Sequence, residues 1–428
     1  MNQNPLTRLI LRSTNVRKNE VKAAVLSFLF VFTLMAAYYL LRPVRDAMAS
    51  DWTDAEVSWL WTLNFFISTA LVALYGLIVS KVSLKRLVPM VYLFFSMSFV
   101  LFFFLVRLSE DAVLVDKAFY LWVSVFALFH ISVFWTFMAN TFNKEQASRL
   151  FSVIAAGAST GAIAGPLLAA VLVQTIGQQP MVLITALMLL VPVPLFFAIS
   201  KLKESALGNQ GYAKEETARK LSGSPLSGFV EFVRNPYLLG IGVFIILYTG
   251  IGSFVYFEQK NLLVDFSRAD RTAIYGIRDV ITNTITFVLA FFVTGRLVPK
   301  LGMQKALLIV PMVLMFGMLV LAFSPVLIVA LGLWVTRSAG NYGLVRPARE
   351  MLFTQVDEES LYKAKPVVDI VAYRGGDVIM GWAFTGLTQG LGLGLAAVAL
   401  VGAGIAAAWA YVGWLLGKHF DNSVKPDT

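Results

Sequence analysis

The stretch Val21–Leu41, VKAAVLSFLFVFTLMAAYYLL, is apolar over 21 residues and runs directly into Arg42-Pro43-Val44-Arg45-Asp46. A helix of that length rises about 30 Å, the thickness of a bilayer's hydrocarbon core. It exceeds the apolar core of about 7–15 residues in a cleaved secretion signal, so it reads as an uncleaved first membrane span. Working outward, similar runs recur at 59–79, 87–106, 118–139, 150–175, 180–200, 237–257, 273–298, 304–323, 325–345, 366–388 and 391–417. The spans at 273–298, 325–345 and 366–388 each contain charge. Of the 428 residues, 58% are apolar and 14% charged, with a mean hydropathy of +0.74. An ordinary soluble domain is about half apolar and a quarter charged. This composition excludes a soluble enzyme, a disordered chain and a small disulfide scaffold. No polar stretch is long enough for a soluble head domain. The runs lack the ten-residue alternation of a barrel, which leaves helices. The expectation is an all-α polytopic membrane protein with twelve transmembrane helices in two six-helix bundles.

The chain has no cysteine and two histidines, His130 and His419. Thiolate and histidine metal clusters are therefore excluded, and neither a metal nor a cofactor is expected. The net charge of +10 is explained by where the basic residues fall. With the N-terminus in the cytoplasm, inside segments hold 25 Lys and Arg, outside segments hold 7, and 3 lie within spans. That asymmetry predicts an inner-membrane protein with both termini cytoplasmic. Because the charge is topological, nucleic acid is not an expected partner; the bilayer is.

The longest polar stretch, Lys201–Pro236, separates six spans from six. The expected organisation is a bundle over 1–200, a cytoplasmic linker over 201–236 and a second bundle over 237–428, the plan of a two-bundle secondary transporter. The halves share a weak repeat: Gly76-Leu-Ile-Val-Ser-Lys81 with Arg86 corresponds to Gly295-Arg-Leu-Val-Pro-Lys300 with Lys305, at a constant offset of 219. Basic, glycine-containing loops joining the second and third span of each half resemble the 2–3 and 8–9 loops of the major facilitator superfamily. Gly157, Gly161 and Gly165, at four-residue spacing, read as a close helix–helix contact rather than a phosphate loop.

Ionisable residues inside spans carry most of the functional signal. A charge at the bilayer centre costs about 2.5–3.5 kcal/mol on insertion scales, so its default reading is a functional cavity. The eighth span has Arg278 and Asp279 one turn before Thr282 and Asn283, and the tenth has Arg337 one turn before Asn341. In the eleventh, Asp369, Tyr373, Arg374 and Asp377 fall within an arc of about 140° at about 100° per residue. The first half contributes Tyr38, Arg42, Arg45 and Asp46, which share a face if the helix continues past Pro43, and Asn64 with Ser68 and Tyr75. His130 reads either as a packing histidine or as a proton site. The charges could also pair simply to hold helices together. A cavity lined by arginine favours an anion, because guanidinium forks match carboxylate and phosphate oxygens.

At these residues the sequence resembles the nucleotide-exchanging ATP/ADP translocases of bacteria and plastids, which share the major facilitator fold. Their first span ends in Leu-Arg-x-x-Lys-Asp, which is similar to Leu41-Arg42-Pro43-Val44-Arg45-Asp46. Their 10–11 loop is similar to Pro347-Ala348-Arg349-Glu350-Met351, Asp357-Glu358-Glu359, Lys363-Ala364-Lys365 and Asp369. The resemblance implies that Arg42, Arg45 and Asp46 line the route or its outer gate. It also implies that Arg349, Glu350, Lys363, Lys365 and Asp369 sit at its cytoplasmic side. Where that family carries a Gly-Lys-Ser-Gly-type stretch, this chain has Arg374-Gly375-Gly376-Asp377, which marks it as divergent.

The functional expectation is a secondary transporter carrying a small organic anion by alternating access, with an ATP/ADP-type nucleotide in exchange as one cargo. Arg278, Arg337 and Arg374 are the expected anion ligands, with Arg42 and Arg45 near the outer mouth. A proton-coupled major facilitator transporter of another small molecule is the alternative, and an integral-membrane enzyme is the less favoured one. No Walker loop is present, so ATP would be cargo rather than fuel. A monomer is expected.

Overall fold

A computed structural model describes residues 16–209, 232–356, 365 and 367–424. The described elements are helical throughout. They are α1 (Val21–Met48), α2 (Asp54–Lys81), α3 (Leu84–Leu108), α4 (Ala112–Thr141), α5 (Lys144–Ile176), α6 (Gln178–Met188), α7 (Pro192–Ser205), α8 (Pro236–Leu262), α9 (Arg268–Val288), α10 (Thr294–Phe323), α11 (Leu327–Gly340), α12 (Arg346–Leu352), α13 (Tyr373–Thr385) and α14 (Leu395–Val424). Among the described residues, ten stretches, with α6 and α7 counted as one, are long and apolar enough to cross a membrane.

The expected tenth and eleventh spans are the two outside that set; polar residues such as Arg337, Asn341, Arg374 and Asp377 lower their hydropathy, and each also contains π-helical turns. α11 passes through a π-helical turn at Asn341–Val345 into α12. α13 is flanked by π-helical turns at Val367–Ala372 and Gly386–Gly390. Such turns insert a residue into the hydrogen-bond ladder and frequently mark functional segments. Here they fall at Asn341 and on either side of Arg374 and Asp377.

Helix ends follow local chemistry. Thr53 and Glu56 cap α2 reciprocally: the Thr53 amide donates to Glu56 at 2.8 Å and the Glu56 amide donates to Thr53 Oγ1 at 3.2 Å. Asn143 and Gln146 form the same box at the start of α5. Asn235 accepts from the Tyr237 and Leu238 amides, with Pro236 at the first helical position of α8. α1 continues through Pro43 to Met48, so the face carrying Arg42, Arg45 and Asp46 is helical.

Two compact units result. One comprises 1–48, 66–219 and 267–280; the other comprises 49–65, 220–266 and 281–428. Each therefore takes a short segment from the opposite half of the sequence: the start of α9 joins the first, and the start of α2 joins the second. Most of the expected linker lies outside the described residues.

In the first unit, Gly157, Gly161 and Gly165 of α5 lie against the backbone carbonyls of Phe28, Phe32 and Ala36 of α1. A methyl at any of them would collide with that backbone, so the glycine spacing sets how closely the two helices approach. In the second unit, α10 is broken at Gly302, whose φ of 75° is a left-handed geometry. The break falls 219 residues after Ser83, the residue preceding α3, so the sequence repeat coincides with a structural one.

Candidate functional site

The first unit buries a knot of charge where α1 and α9 meet. Asp46 is the acid near the end of α1, and Arg278 lies on α9 immediately before Asp279. Arg278 donates to Asp279 at 2.8 Å and to Asp46 at 3.2 Å, with its side chain wholly buried. Arg45 donates to Asp46 at 2.6 Å and to Ser124 of α4 at 3.3 Å. Arg42 reaches Asp279 at 3.6 Å and Asp46 at 3.9 Å. Three guanidinium groups thus surround two carboxylates, and the excess positive charge falls on Arg42, which keeps one-fifth of its side chain exposed. Nearby, Arg271 donates to the Ala47 carbonyl, and Arg268 pairs with Asp116 of α4 at 2.7 Å.

The second unit has a tie of opposite polarity. Asp54, at the start of α2, accepts from Lys260 at the end of α8 at 2.7 Å, from Asn261 at 3.2 Å and from Thr388 at 2.8 Å. Lys260 is 2% exposed. In the first unit the acid sits at the end of α1 and the base on α9; in the second unit the base sits at the end of α8 and the acid on α2. Ser58 and Thr385 hydroxyls meet at 2.8 Å, and Trp382 donates to Thr62 at 3.0 Å, fastening the same stretch of α2 to α13.

Farther along α8, Arg337 of α11 stacks on Tyr248 at 4.2 Å from the ring centroid and points two arms at the Tyr248 carbonyl at 3.4 Å. Gly252 makes room for it: a methyl there would overlap the guanidinium. Among the described residues Arg337 has no carboxylate within ion-pair distance. Arg374 likewise makes no hydrogen bond or ion pair there. Asp377 is within electrostatic reach of both. Tyr373 packs edge-on to Tyr248 at 6.0 Å and accepts from Arg349 of α12 at 2.8 Å.

Arg349 also donates to Glu350 at 2.7 Å, and Lys365 donates to the other Glu350 oxygen at 2.7 Å. Burial disfavours the charged form of Glu350, but the hydrogen bonds from Lys365 and Arg349 outweigh it and hold this carboxyl below its ordinary range. Burial opposes charge on Arg349 as well, and its Tyr373 and Glu350 neighbours prevail, keeping it firmly a cation.

The residues singled out in the sequence thus divide between two places. Arg42, Arg45, Asp46, Arg278 and Asp279 come together in the first unit. Arg337, Tyr373, Arg374 and Asp377 gather in the second, with Arg349, Glu350 and Lys365 beside them. Asn341 is buried in its π-helical turn, while Asn64 and Asn283 are half-buried on α2 and α9. Lys363 and the side chain of Asp369 lie outside the described residues. His130 stacks on Tyr38 at 4.9 Å, and its Nδ1 lies 3.0 Å from the Phe126 carbonyl, a packing arrangement. Sequence reasoning missed Asp54, Asn261, Thr388 and Glu258. The structure commits the Lys260 ammonium to Asp54. Asp54 and Lys260 are 206 positions apart, and no local signal joins them.

The sequence matches the profile of the Major Facilitator Superfamily over residues 26–356. No curated protein matches it. Among solved structures, the chain is similar to the nucleoside transporter NupG, with 13% identity and a TM-score of 0.61 over 94% of this chain and 99% of that one. A point mutant of NupG gives 13% identity and a TM-score of 0.67 over 92% and 99%. A bacterial homologue of the human lysosomal transporter Spinster, inward-facing and unoccupied, gives 12% identity and a TM-score of 0.62 over 96% and 100%. At such identities the likeness is one of fold.

Proposed function

The chain belongs to the major facilitator superfamily, a superfamily of secondary transporters, and we propose that it carries a small organic anion by alternating access. One contrast among the arginines supports this reading. Arg45 and Arg278 are each within 3.2 Å of a carboxylate, whereas Arg337 and Arg374 have none within ion-pair distance among the described residues. Asp377 reaches both only through space, and a guanidinium in an apolar bundle with no carboxylate bonded to it favours an arriving anion that completes it. Tyr248 and Tyr373 beside Arg337 offer flat faces and a hydroxyl for an aromatic or hydroxylated cargo.

A nucleotide in ATP/ADP-type exchange fits this set, since it supplies phosphates for the arginines and a base for the tyrosines. The two motifs shared with the translocases point the same way, and Asp377 favours a cargo less highly charged than ATP. We read the Asp46–Arg278 and Asp54–Lys260 ties as gates that part during the cycle. The distribution of basic residues supports an outer-side position for them in an inner membrane, with both termini cytoplasmic.

The test is uptake by the purified chain in proteoliposomes, preceded by thermal-shift measurements against nucleotides, sugar phosphates, peptides and cationic drugs. Stabilisation by phosphorylated or carboxylated compounds alone is expected, with nucleotides foremost. Arg374→Leu abolishes uptake while the protein still folds and inserts. Gly252→Ala, which pushes the Arg337 guanidinium from its seat, mimics Arg337→Ala and adds nothing to it. Uptake undiminished in Arg374→Leu and in Arg337→Ala overturns the reading.

A further inference from the structure

Glu258 lies four residues before the end of α8 with no exposed surface, and neither carboxylate oxygen has a hydrogen-bond partner among the described residues. Its neighbours are all committed elsewhere. The Gln259 amide donates to the Ala330 carbonyl at 2.9 Å. The Lys260 ammonium is taken by Asp54 at 2.7 Å and by Asn261 at 3.0 Å. The Asp54 carboxylate is close enough for its charge to be felt at Glu258. Two acids therefore share one cation, and the cation belongs to Asp54. An ionised carboxylate left dry, unbonded and beside a second carboxylate is penalised by several kcal/mol, so the stable form of Glu258 here is the neutral acid.

The charged groups around it are Asp54 of α2 and Lys260 of its own helix, and Glu56 of α2 lies within electrostatic reach of that Lys260. Arg337 of α11 and Asp377 of α13 lie farther along α8, beyond Gly252. None offers Glu258 a direct counter-ion while the Asp54–Lys260 tie holds. When the tie parts, water reaches the carboxyl and stabilises its anion, and the proton leaves as hydronium.

We propose that Glu258 is a proton-binding site, loaded while the Asp54–Lys260 tie is closed and emptied to water when it opens, so that this end of the second unit is a proton-coupled gate. The inference rests on reading that tie as a gate, but not on the chemistry of the cargo. Proton binding stabilises the closed form at low pH, and that stabilisation is lost as pH rises, so the gate opens toward alkaline pH.

The chain's lack of cysteine permits a test that needs no substrate. Ser58, buried against Thr385 in the closed form, is replaced by cysteine as the only thiol in the protein. A water-soluble maleimide labels it in proteoliposomes across a range of pH. The labelling rate, divided at each pH by that of a fully exposed thiol so that the rising thiolate fraction cancels, rises with pH, approaching about tenfold per unit as expected for opening coupled to loss of one proton. Adding Glu258→Gln removes that slope, and Glu258→Asp keeps it with a displaced midpoint. Infrared spectroscopy of the protein without the thiol gives an independent readout: a buried carboxylic-acid C=O band at neutral pH that disappears in Glu258→Gln. A slope unchanged by Glu258→Gln, labelling independent of pH in the parent, no labelling at any pH, or infrared spectra identical in both proteins each overturns the proposal. Failure here leaves the anion reading standing, and loss of anion uptake with the pH slope intact would sink only the other.

Discussion

Arg278 Nη2 lies 3.2 Å from Asp46 Oδ2 and 2.8 Å from Asp279 Oδ1, so a single buried guanidinium ties the end of α1 to α9. Its planar fork is what allows two acids to be served at once. Lysine in its place keeps the charge but presents a single point, leaving one carboxylate short of a donor. Arg278→Leu removes the cation altogether and is expected to destabilise the protein by about 3–5 kcal/mol, the usual consequence of breaking a buried pair on one side. Arg278→Lys falls between wild type and the leucine variant. Denaturant unfolding in detergent orders the three; a lysine variant as stable as wild type would show that the fork is not used.

The Asp54–Lys260 tie calls for a double-mutant cycle. Asp54→Asn strands a buried ammonium, and Lys260→Met strands a carboxylate that still has Asn261 and Thr388 as donors. Lys260→Met is therefore the milder single change. With both replaced, no buried charge is left uncompensated, and stability recovers above either single variant. The coupling energy read from the cycle is expected at about 1–3 kcal/mol. Strict additivity of the two single effects would mean that the residues do not interact.

Much of this architecture is legible in the sequence because membrane spans are written in local composition. The run Val21–Leu41 needs no partner to be recognised, and the spacing of Gly157, Gly161 and Gly165 announces a close contact without saying with what. The offset of 219 even anticipates the break at Gly302. Pairings between halves are another matter. Asp54 looks like an ordinary acidic residue in a first helical turn, and Lys260 like a snorkelling cation at a span end. Only the fold, which moves the start of α2 into the second unit, turns them into partners. Glu258 is hidden for the same reason: two positions before Lys260 in sequence it reads as half of a local pair, yet residues i and i+2 on a helix do not face each other.

Glu350 gives a pH dependence of definite sign. Burial works against its charge, and the hydrogen bonds from Lys365 and Arg349 more than offset that, so its folded pKa is lowered. A lowered carboxylate contributes stability that is present above its unfolded value, about 4.3, and that disappears as pH falls through the folded value. The stability difference between wild type and Glu350→Gln is therefore full near neutrality and shrinks in acid. Unfolding measured at several pH values checks this; a gap that widens on acidification would contradict the assignment.

Asp421 of α14 closes the break in α10 from a distance. Its two carboxylate oxygens accept from the Met303 amide at 3.0 Å and the Gln304 amide at 3.1 Å. Those amides begin the helical segment after Gly302, so a side chain more than a hundred residues away serves as the cap. An anion is also favoured at the positive end of that segment. Asp421→Ala is expected to cost about 0.5–2 kcal/mol, the range for losing a helix cap, with Asp421→Asn intermediate because it keeps one acceptor oxygen. Gly302→Ala disturbs the same junction from the backbone side, since a left-handed residue with a side chain is disfavoured by about 1–2 kcal/mol. Hydrogen exchange separates the two effects. Asp421→Ala accelerates exchange at Met303 and Gln304 before anything else in α10 responds, whereas Gly302→Ala shifts the whole segment. Unchanged protection of those two amides in Asp421→Ala would mean that the carboxylate is a neighbour of the helix start and not its cap.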